Sequence, residues 1–251
     1  MEGRYVDDYV ADLEQRRAAL ATRVATFGPR SVPSDLRRDH VLTCATLAFV
    51  TDGFEGASMH AIAALAGVTK PVVYGLFGSK EELFAAVVDR ANDELATHVE
   101  FAISGGEGSQ LVPGVRAYLE YLAARSALWG QMFASIHHHV VAEAATRLRD
   151  RQMAIVADAL GRGYAEAGLM ADPRQVEALA HLVGGAVDSV GNWWMRRGDL
   201  PLDAIVEFLV AALAPALGAV RSEHAPVWPD DPEFAGAQPT SARAGAPANE
   251  P

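Results

Sequence analysis

The stretch that most constrains the fold is ASMHAIAALAGVTKPVVYGLFGSKEELF, residues 57–84, in which two short apolar patterns lie on either side of Gly67. Ser58 stands where its side chain can cap a helix over residues 59–65. Thr69 can cap a second helix, with Pro71 in its first turn, where proline is tolerated. The stretch therefore predicts a short helix, a tight turn at AGV and a second short helix.

The apolar residues of this unit fall where its two helices and the preceding helix can share a small core. They are Ile62, Ala63, Leu65, Val68, Val73 and Phe77. The residues expected on the outside are His60, Thr69, Lys70, Val72 and Tyr74. A short second helix with exposed polar residues at its N-terminal end has the geometry of a helix that enters the major groove of DNA.

Helical periodicity extends over the rest of the chain. Alternating strand patterns and hairpin dipeptides are nearly absent, whereas apolar residues recur three and four positions apart. We therefore predict an all-α fold. Besides the two short helices, the expected helices cover residues 5–26, 35 to the glycines that follow Thr51, 79–103, 111–127, 129–139, 141–167, 173–197 and 202–220.

Composition bounds the class of protein. Half of the 251 residues are hydrophobic, which is enough for a sizeable core. The net charge of −11 argues against unspecific coating of nucleic acid by the whole molecule, although it leaves room for a local cationic face. The chain has no membrane-length apolar run and no signal-peptide pattern, so we expect a cytoplasmic protein. Its single cysteine, Cys44, lies among apolar residues and is expected to be a buried thiol.

The segment IAALAGVTKPVVYGLFGSKEELF resembles the DNA-binding domain of the TetR family of transcriptional regulators. The resemblance covers about residues 36–84 and rests on Ile62-Ala63, Ala66-Gly67-Val68, Tyr74, Phe77 and Ser79-Lys80-Glu81. It implies a three-helix DNA-binding domain with a helix-turn-helix, followed by a helical domain for ligand binding and dimerisation. It also implies a homodimeric regulator, by family expectation a repressor, that leaves a palindromic operator when a small-molecule effector binds.

The outward residues then acquire candidate roles on DNA. Lys70 can donate to guanine, Val72 can touch a thymine methyl group, and Tyr74 can bind phosphate. Lys80 matches the position of the family's phosphate-contacting lysine, and His60 matches one from which some members reach a base. The full predicted set of DNA-binding residues is Arg37, Arg38, Ser58, His60, Thr69, Lys70, Pro71, Val72, Tyr74 and Lys80.

The sequence also departs from the family pattern. Ala61 stands where an acid often completes a capping box with the N-cap residue, so only the cap itself is expected here. Gly75 and Leu76 replace the bulky or histidine residues that are common after the tyrosine. This replacement removes one or two phosphate contacts and bears on affinity more than on specificity.

We divide the chain into four segments. Residues 1–34 form an N-terminal extension with one amphipathic helix, and residues 35–80 form the DNA-binding domain. Residues 81–221 form the ligand-binding and dimerisation domain, and the Pro- and Ala-rich segment 222–251 is expected to be a disordered tail. The extension could track DNA with Arg16, Arg17, Arg23 and Arg30, but its apolar stripe favours packing on its own protein.

The last two long helices, 173–197 and 202–220, are the expected dimer interface, because the second is apolar around most of its circumference. The helices before them should enclose an effector pocket. The residues available to line it are Tyr118, Tyr121, Trp129, Met132, Phe133, His137, Tyr164, His181 and Trp193. Few of these residues are cationic, which favours a neutral, largely apolar effector.

Two competing functions stay open. An all-helical small-molecule-binding protein or enzyme with a vestigial DNA-binding head would use His137, His138, His181 and Asp188, but no catalytic signature supports it. A DNA-binding protein without an effector would use its C-terminal helices for dimerisation alone. Three adjacent histidines at 137–139 point about 100° apart on a helix and cannot converge on one ion, so we expect neither a metal site nor a cofactor.

Overall fold

The computed structural model describes residues 2–28, 31–104, 110–134 and 139–219. Within these ranges the chain forms ten α-helices and no strand, which confirms the all-α prediction. The helices are α1 (Glu2–Ala25), α2 (Ser34–Gly56), α3 (Met59–Leu65), α4 (Lys70–Phe77), α5 (Lys80–Ile103), α6 (Leu111–Ala124), α7 (Ser126–Ala134), α8 (His139–Glu166), α9 (Pro173–Arg197) and α10 (Leu202–Ala219). The predicted tail at 222–251 lies outside the described residues.

Helices α2, α3 and α4 and the start of α5 form one compact unit, here called the head. The side chains of Ile62 and Val73 are fully buried and those of Ala63 and Phe77 nearly so, as predicted from their spacing. Gly67 sits in the turn between α3 and α4 with φ +64°, a conformation that other residues rarely adopt. The turn sets α4 across α3, because the two helix axes bend by 107°.

An aromatic cluster joins α2 to α5 beneath the head. The ring of Phe84 lies 4.9 Å from that of Phe49 and 5.1 Å from that of Phe54, both with edge contacts. Edge-to-face pairs of this kind add to the stabilisation that burial provides. The head is therefore anchored on the first turns of α5.

No single helix in the described ranges is long and apolar enough to cross a membrane. Only α3 and α4 taken together reach that threshold, and they do so as a sharply bent pair. Their apolar side chains Ile62 and Val73 are buried in the head instead.

Helix α1 packs along α2 and is part of the main core. Its residues Tyr9, Leu13 and Leu20 are buried, while most of the residues between them are exposed. Because these positions recur at helical spacing, the apolar stripe seen in the sequence is the face that docks. The structure thus places the N-terminal extension against the head, as the sequence favours.

Helices α6, α9 and α10 enclose a second apolar cluster around Leu119, Val187 and Leu209. Glycines allow the close approach of neighbouring helices: a Cβ atom at Gly191 would lie 3.0 Å from Leu119 Cδ2. Helix α9 begins as the sequence indicates, with Asp172 accepting a hydrogen bond of 2.8 Å from the Arg174 amide.

One predicted boundary was wrong. The sequence analysis placed a helix over residues 111–127, but α6 ends at Ala124 and α7 begins at Ser126. Arg125 leaves the helical conformation with φ −121° and ψ 26°. Its guanidinium then stacks 3.9 Å from the centre of the Tyr121 ring and pairs with Glu94 at 3.5 Å. No glycine or proline marks this break in the sequence. It is accompanied instead by the tertiary contacts of Arg125.

Candidate nucleic-acid interface

The N-terminal end of α4 presents exposed polar residues to solvent. Lys70 and Pro71 are exposed in its first turn, and 43 % of the Tyr74 surface is accessible one turn later. The Lys70 ammonium lies 5.5 Å from the centre of the Tyr74 ring, so the two side chains share one face. This face carries a cation, a phenol hydroxyl and a flat ring, and within the described residues neither side chain makes a hydrogen bond or an ion pair.

The two residues that flank this face occupy different positions. Thr69 is exposed at the N-cap position, but its hydroxyl makes no capping hydrogen bond to α4. Val72 is half-buried, with part of its surface still accessible. The predicted outward residues Thr69, Lys70 and Tyr74 therefore lie outward, and Val72 only partly does.

Helix α3 supports α4 from behind. The Ser58 hydroxyl accepts a hydrogen bond of 3.1 Å from the Ala61 amide, so the predicted N-cap is confirmed. With alanine at position 61 no acid reaches back to complete a capping box. His60 is exposed in the first turn of α3.

Arg38 contacts the protein itself. Its guanidinium donates a hydrogen bond of 2.8 Å to the Leu76 carbonyl and lies 4.3 Å above the centre of the Phe77 ring. Both partners belong to the last turn of α4. Arg37 donates more weakly, at 3.3 Å, to the Val32 carbonyl. The sequence indicated cations at the start of α2 but not this reach to α4.

Lys80 also makes intramolecular contacts. Its ammonium donates to the Phe54 carbonyl at 2.9 Å and the Ala57 carbonyl at 3.4 Å, and lies 4.4 Å above the Phe54 ring. These contacts join the start of α5 to the end of α2, where carbonyl groups lack helical partners. The phosphate contacts expected of Arg38 and Lys80 stay predictions, and the contacts described here give both residues a role in holding the head together.

A buried histidine in the head was not identified from the sequence. His40 of α2 is 4 % exposed, and its Nδ1 atom has no hydrogen-bond partner within the described residues. Burial lowers the pKa of His40, while a hydrogen bond with the backbone of Ala66 opposes that change. A histidine at this position gives no sequence signal, because it continues the buried stripe of α2 in place of an apolar residue.

Cys44, one turn later, is buried as expected, and burial raises the pKa of its thiol to about 11.

Three of the predicted effector-binding residues, Tyr121, Tyr164 and Trp129, are buried in the C-terminal helices, and Tyr118 is partly buried there. The Tyr121 hydroxyl donates to the Ala91 carbonyl at 2.6 Å, and the Tyr164 hydroxyl donates to the Leu217 carbonyl at 2.9 Å. The Tyr118 hydroxyl donates to the Asp188 carboxylate, and burial raises the pKa of both groups. Trp129 is 2 % exposed, and its indole Nε1 atom has no partner within the described residues.

The other predicted effector-binding residues are not gathered with these four. His181 and Trp193 are exposed on the outer face of α9, while the neighbouring Trp194 is buried and donates to the Leu200 carbonyl at 2.8 Å. Met132, Phe133 and His137 lie outside the described side chains. Sequence spacing could not decide which face of α9 turns inward, because both faces carry large apolar residues.

One further buried polar residue, Asn92 of α5, was missed by the sequence analysis. It is 5 % exposed, and its Oδ1 atom has no hydrogen-bond partner within the described residues. Buried polar atoms are nearly always paired, so such an acceptor is a candidate contact for a bound molecule. Its signal in the sequence is an asparagine inside the apolar pattern of α5.

An apolar surface runs along the outer faces of α9 and α10. On α9, Leu182 and Trp193 are 49 % and 43 % exposed, with Gly185 and Ser189 between them. On α10, Phe208 is 59 % exposed. Its exposed neighbours at helical spacing are Ala204, Ala211, Ala212 and Pro215. Contiguous apolar surface of this kind marks a site where another molecule binds.

Within the described residues no group of three histidine, cysteine or acidic side chains is placed to hold a metal ion. His139 Nε2 lies 3.4 Å from Glu143 Oε1, and both side chains are largely exposed. The pair is an ordinary contact between residues four positions apart on a helix.

Comparison with known proteins bears on both halves of the chain. Residues 42–87 match the family of bacterial regulatory proteins called the tetR family. The transcriptional activator FasR of Mycolicibacterium smegmatis is 31 % identical over 202 residues, which are 79 % of this chain and 90 % of FasR. The transcriptional repressor NicS of Pseudomonas putida is 37 % identical over 62 residues, which are 25 % of this chain and 29 % of NicS.

A solved structure supports the fold beyond the head. The TetR-family transcriptional regulator from Streptomyces coelicolor superposes with a TM-score of 0.59 at 20 % identity. The superposition covers 74 % of this chain and 86 % of that protein. At this identity the likeness establishes the arrangement of helices and not the ligand.

Proposed function

The chain belongs to the TetR family of bacterial transcriptional regulators, and we propose that it binds a palindromic DNA operator as a homodimer and responds to a small-molecule effector. Residues 35–80 are assigned to DNA binding and residues 81–221 to dimerisation and effector binding. The observation that carries the proposal is the exposed face of α4, where Lys70 and Tyr74 stand side by side on a rigidly supported helix.

The chemistry of that face suits a major groove. Lysine donates to the acceptor atoms of guanine, and a tyrosine hydroxyl can bind phosphate. Thr69, Pro71, Val72 and His60 surround the pair and can contact bases or backbone. Arg38, Ser58 and Lys80 then act from within the protein. Each bonds to a backbone group at a helix end: Ser58 at the start of α3, Arg38 at the end of α4 and Lys80 at the end of α2. Arg37 is assigned to the phosphate backbone beside them.

The outer face of α9 and α10 supports a symmetric dimer. In an isologous interface the same patch meets its own copy, so Leu182, Trp193 and Phe208 would be covered by the equivalent residues of a second chain. Such a dimer presents two copies of α4. Two heads that read successive major grooves require half-sites about one helical turn apart, which predicts a palindromic operator.

Buried polar atoms in the C-terminal helices support an effector site. Asn92 Oδ1 offers an acceptor and Trp129 Nε1 offers a donor, and neither has a partner within the described residues. Leaving such atoms unpaired is costly, so a ligand that bonds to them gains affinity. We propose a neutral, largely apolar effector with a small polar group. The tyrosines at 118, 121 and 164 already bond to the protein and would line its apolar part.

Repression is the sign of control that the family resemblance predicts. The relatives carry both signs in their names, since FasR is an activator and NicS a repressor. A reporter gene placed under an operator obtained by the DNA selection described below measures the sign of control directly. Repression predicts that removal of the protein raises transcription, and activation predicts the opposite.

The second candidate, a helical binding protein or enzyme with a vestigial head, has less support. The relatives that match are named as transcriptional regulators and not as enzymes. A vestigial head would have no reason to keep Lys70 and Tyr74 exposed on one face. Turnover of a bound small molecule by the purified protein would favour this candidate.

Selection of DNA from a random duplex pool tests the proposal. The wild-type protein and a Lys70→Ala/Tyr74→Ala variant are incubated with the pool at the same moderate salt, and the retained DNA is sequenced. We expect the wild type to enrich a palindrome and the variant to enrich nothing. A wild type that enriches no sequence, even after denaturation and refolding to remove a retained ligand, would refute the proposal.

A further inference from the structure

Helix α1 lies across the boundary between the head and the C-terminal helices. Tyr9, Leu13 and Leu20 bury its inner face, and α1 contacts α2 in the head as well as α6 and α7 beyond it. An extension that served only to lengthen the head would have no need to reach α6 and α7. Its position suggests that it holds the two parts of the chain in one relative orientation.

Arg16 is the residue of α1 that joins both parts. Its guanidinium donates a hydrogen bond of 2.8 Å to the Glu94 carboxylate on α5. The same guanidinium lies 3.5 Å from the Asp39 carboxylate on α2. A planar guanidinium can serve two carboxylates at once because its donors point in several fixed directions.

Glu94 is shared among three arginines. Besides Arg16, it pairs with Arg125 at 3.5 Å and lies 4.0 Å from Arg90. Arg90 reaches back to the head, where it donates to Thr46 at 2.6 Å and to Thr43 at 3.0 Å. Its side chain is largely buried, and burial lowers its pKa. The carboxylate therefore stands between cations of three different elements.

Arg125 extends this network of paired charges around Glu94 to the C-terminal helices. It sits at the junction of α6 and α7, with its guanidinium 3.9 Å from the centre of the Tyr121 ring and 5.2 Å from that of Tyr9. The stacking connects α1 and α6 through one side chain. Through Asp39, Arg16, Glu94 and Arg125 the contacts run from α2 in the head across α1 to Tyr121 in the C-terminal domain. Arg90 on α5 makes a parallel connection between the head and Glu94.

The space at the centre of this network is too small for an effector. The cavity enclosed by Tyr9, Arg16, Arg90, Glu94 and Arg125 has a volume of about 30 Å³. That volume corresponds to about one water molecule. The network is therefore a mechanical connection and not a second ligand site.

We propose that α1 is a clasp that couples the DNA-reading head to the C-terminal helices, with Arg16 as the positioning residue that closes it. The inference rests on the proposed function. A change in head orientation must either carry α1 along or break the pairs of Arg16 with Asp39 and Glu94. Coupling free energies are reciprocal, so if the clasp couples an effector to the head we expect DNA bound at α4 to affect the C-terminal helices in turn.

Hydrogen exchange with and without DNA tests the clasp without knowledge of the effector. The probe is the duplex enriched by the wild-type protein. In the wild type we expect the duplex to slow exchange in α4 and also to change exchange at the junction of α6 and α7, residues 121–130. In Arg16→Ala the protection of α4 should persist and the change at 121–130 should be reduced, because only the connection through Arg90 remains.

Two further variants separate loss of the Arg16 pairs from a general effect of mutating α1. Arg23→Ala removes an exposed arginine from the last turn of the same helix and should behave as the wild type. Glu94→Gln removes the shared charge with little change in shape, and should lose the response at 121–130 even if Arg16→Ala undocks α1. Exchange within residues 9–20 of the free variants reports that docking.

The outcomes separate the two proposals. An equal change at 121–130 in the wild type, Arg16→Ala and Glu94→Gln would overturn the clasp. Protection of α4 in the wild type with no change at 121–130 would overturn it as well and leave the proposed function intact. Absence of protection in α4 of the wild type would instead contradict DNA binding itself.

Discussion

The guanidinium of Arg38 donates a hydrogen bond of 2.8 Å to the carbonyl of Leu76, at the end of the helix that presents Lys70 to solvent. The same guanidinium covers the Phe77 ring. A cation at the start of α2 therefore holds the far end of α4. We expect the position of the exposed face of α4 to depend on this contact as well as on the apolar core beneath it.

Substitution of Arg38 should separate positioning from phosphate binding. We expect Arg38→Ala to lower the free energy of unfolding by about 0.5–1 kcal/mol, since it removes a hydrogen bond and a cation–π contact. DNA affinity should fall while the dependence of log Kd on log salt keeps its slope. A phosphate contact would instead flatten that slope by about 0.9. Lys70→Ala is the matched control, with weaker DNA binding and unchanged unfolding.

Gln131 of α7 should stabilise the break in α2. Its Oε1 atom accepts a hydrogen bond of 3.1 Å from the Phe54 amide, directly after Gly53 turns the chain with φ +75°. Gln131→Leu leaves that amide without its acceptor and should cost about 1–2 kcal/mol in urea unfolding at fixed protein concentration. Gln131→Glu keeps an acceptor and should cost less. Equal losses for the two variants would show that the acceptor is irrelevant.

The buried His40 should make the protein less stable in acid. Because its pKa in the folded state is below the ordinary 6.5, the unfolded chain takes up the proton first as pH falls. Stability should therefore decline below about pH 6.5 and continue to decline until His40 is protonated in the folded state as well. Unfolding free energies at pH 7.5 and 5.5 measure the loss. His40→Gln should reduce it and His60→Gln, at an exposed position, should not; equal losses in all three proteins would contradict this origin.

Phe208 should be essential for dimerisation. Phe208→Arg places a charge in the centre of the apolar face of α9 and α10, where desolvation without a partner is costly. We expect sedimentation velocity to show a monomer and DNA affinity to fall, because a single head makes half of the contacts. Phe101→Arg, at an 84 % exposed position near the end of α5, is the matched control. Dimers that persist in Phe208→Arg would place the interface elsewhere.

Local rules were sufficient for the two short helices of the head and the turn between them. Ser58, Gly67 and Pro71 mark the start of α3, the turn and the first turn of α4, and each acts through its own backbone chemistry. Ile62, Ala63, Val73 and Phe77 are buried because helical spacing places them on the side that faces the core of the head.

Long-range contacts were beyond the reach of the sequence. The break at Arg125 depends on Glu94 and Tyr121, and the burial of His40 depends on how α2 packs against the turn of the head. Likewise, the family resemblance assigned Lys80 to phosphate, whereas its reach to the Phe54 carbonyl follows from the fold. The inward face of α9 carries glycines that closely approach neighbouring helices. The sequence shows where these glycines are but not which residues they meet in the fold.

The measurement that tests the central claim most directly compares the wild-type protein on two duplexes. One duplex carries the selected palindrome, and the other has a single half-site scrambled. Each mismatched base pair typically costs about 1–3 kcal/mol, so the account predicts a loss of affinity of at least about 10-fold for the scrambled duplex. The Lys70→Ala/Tyr74→Ala variant should bind both duplexes equally weakly. Equal affinity of the wild type for the two duplexes would contradict a dimer that reads DNA through two copies of α4.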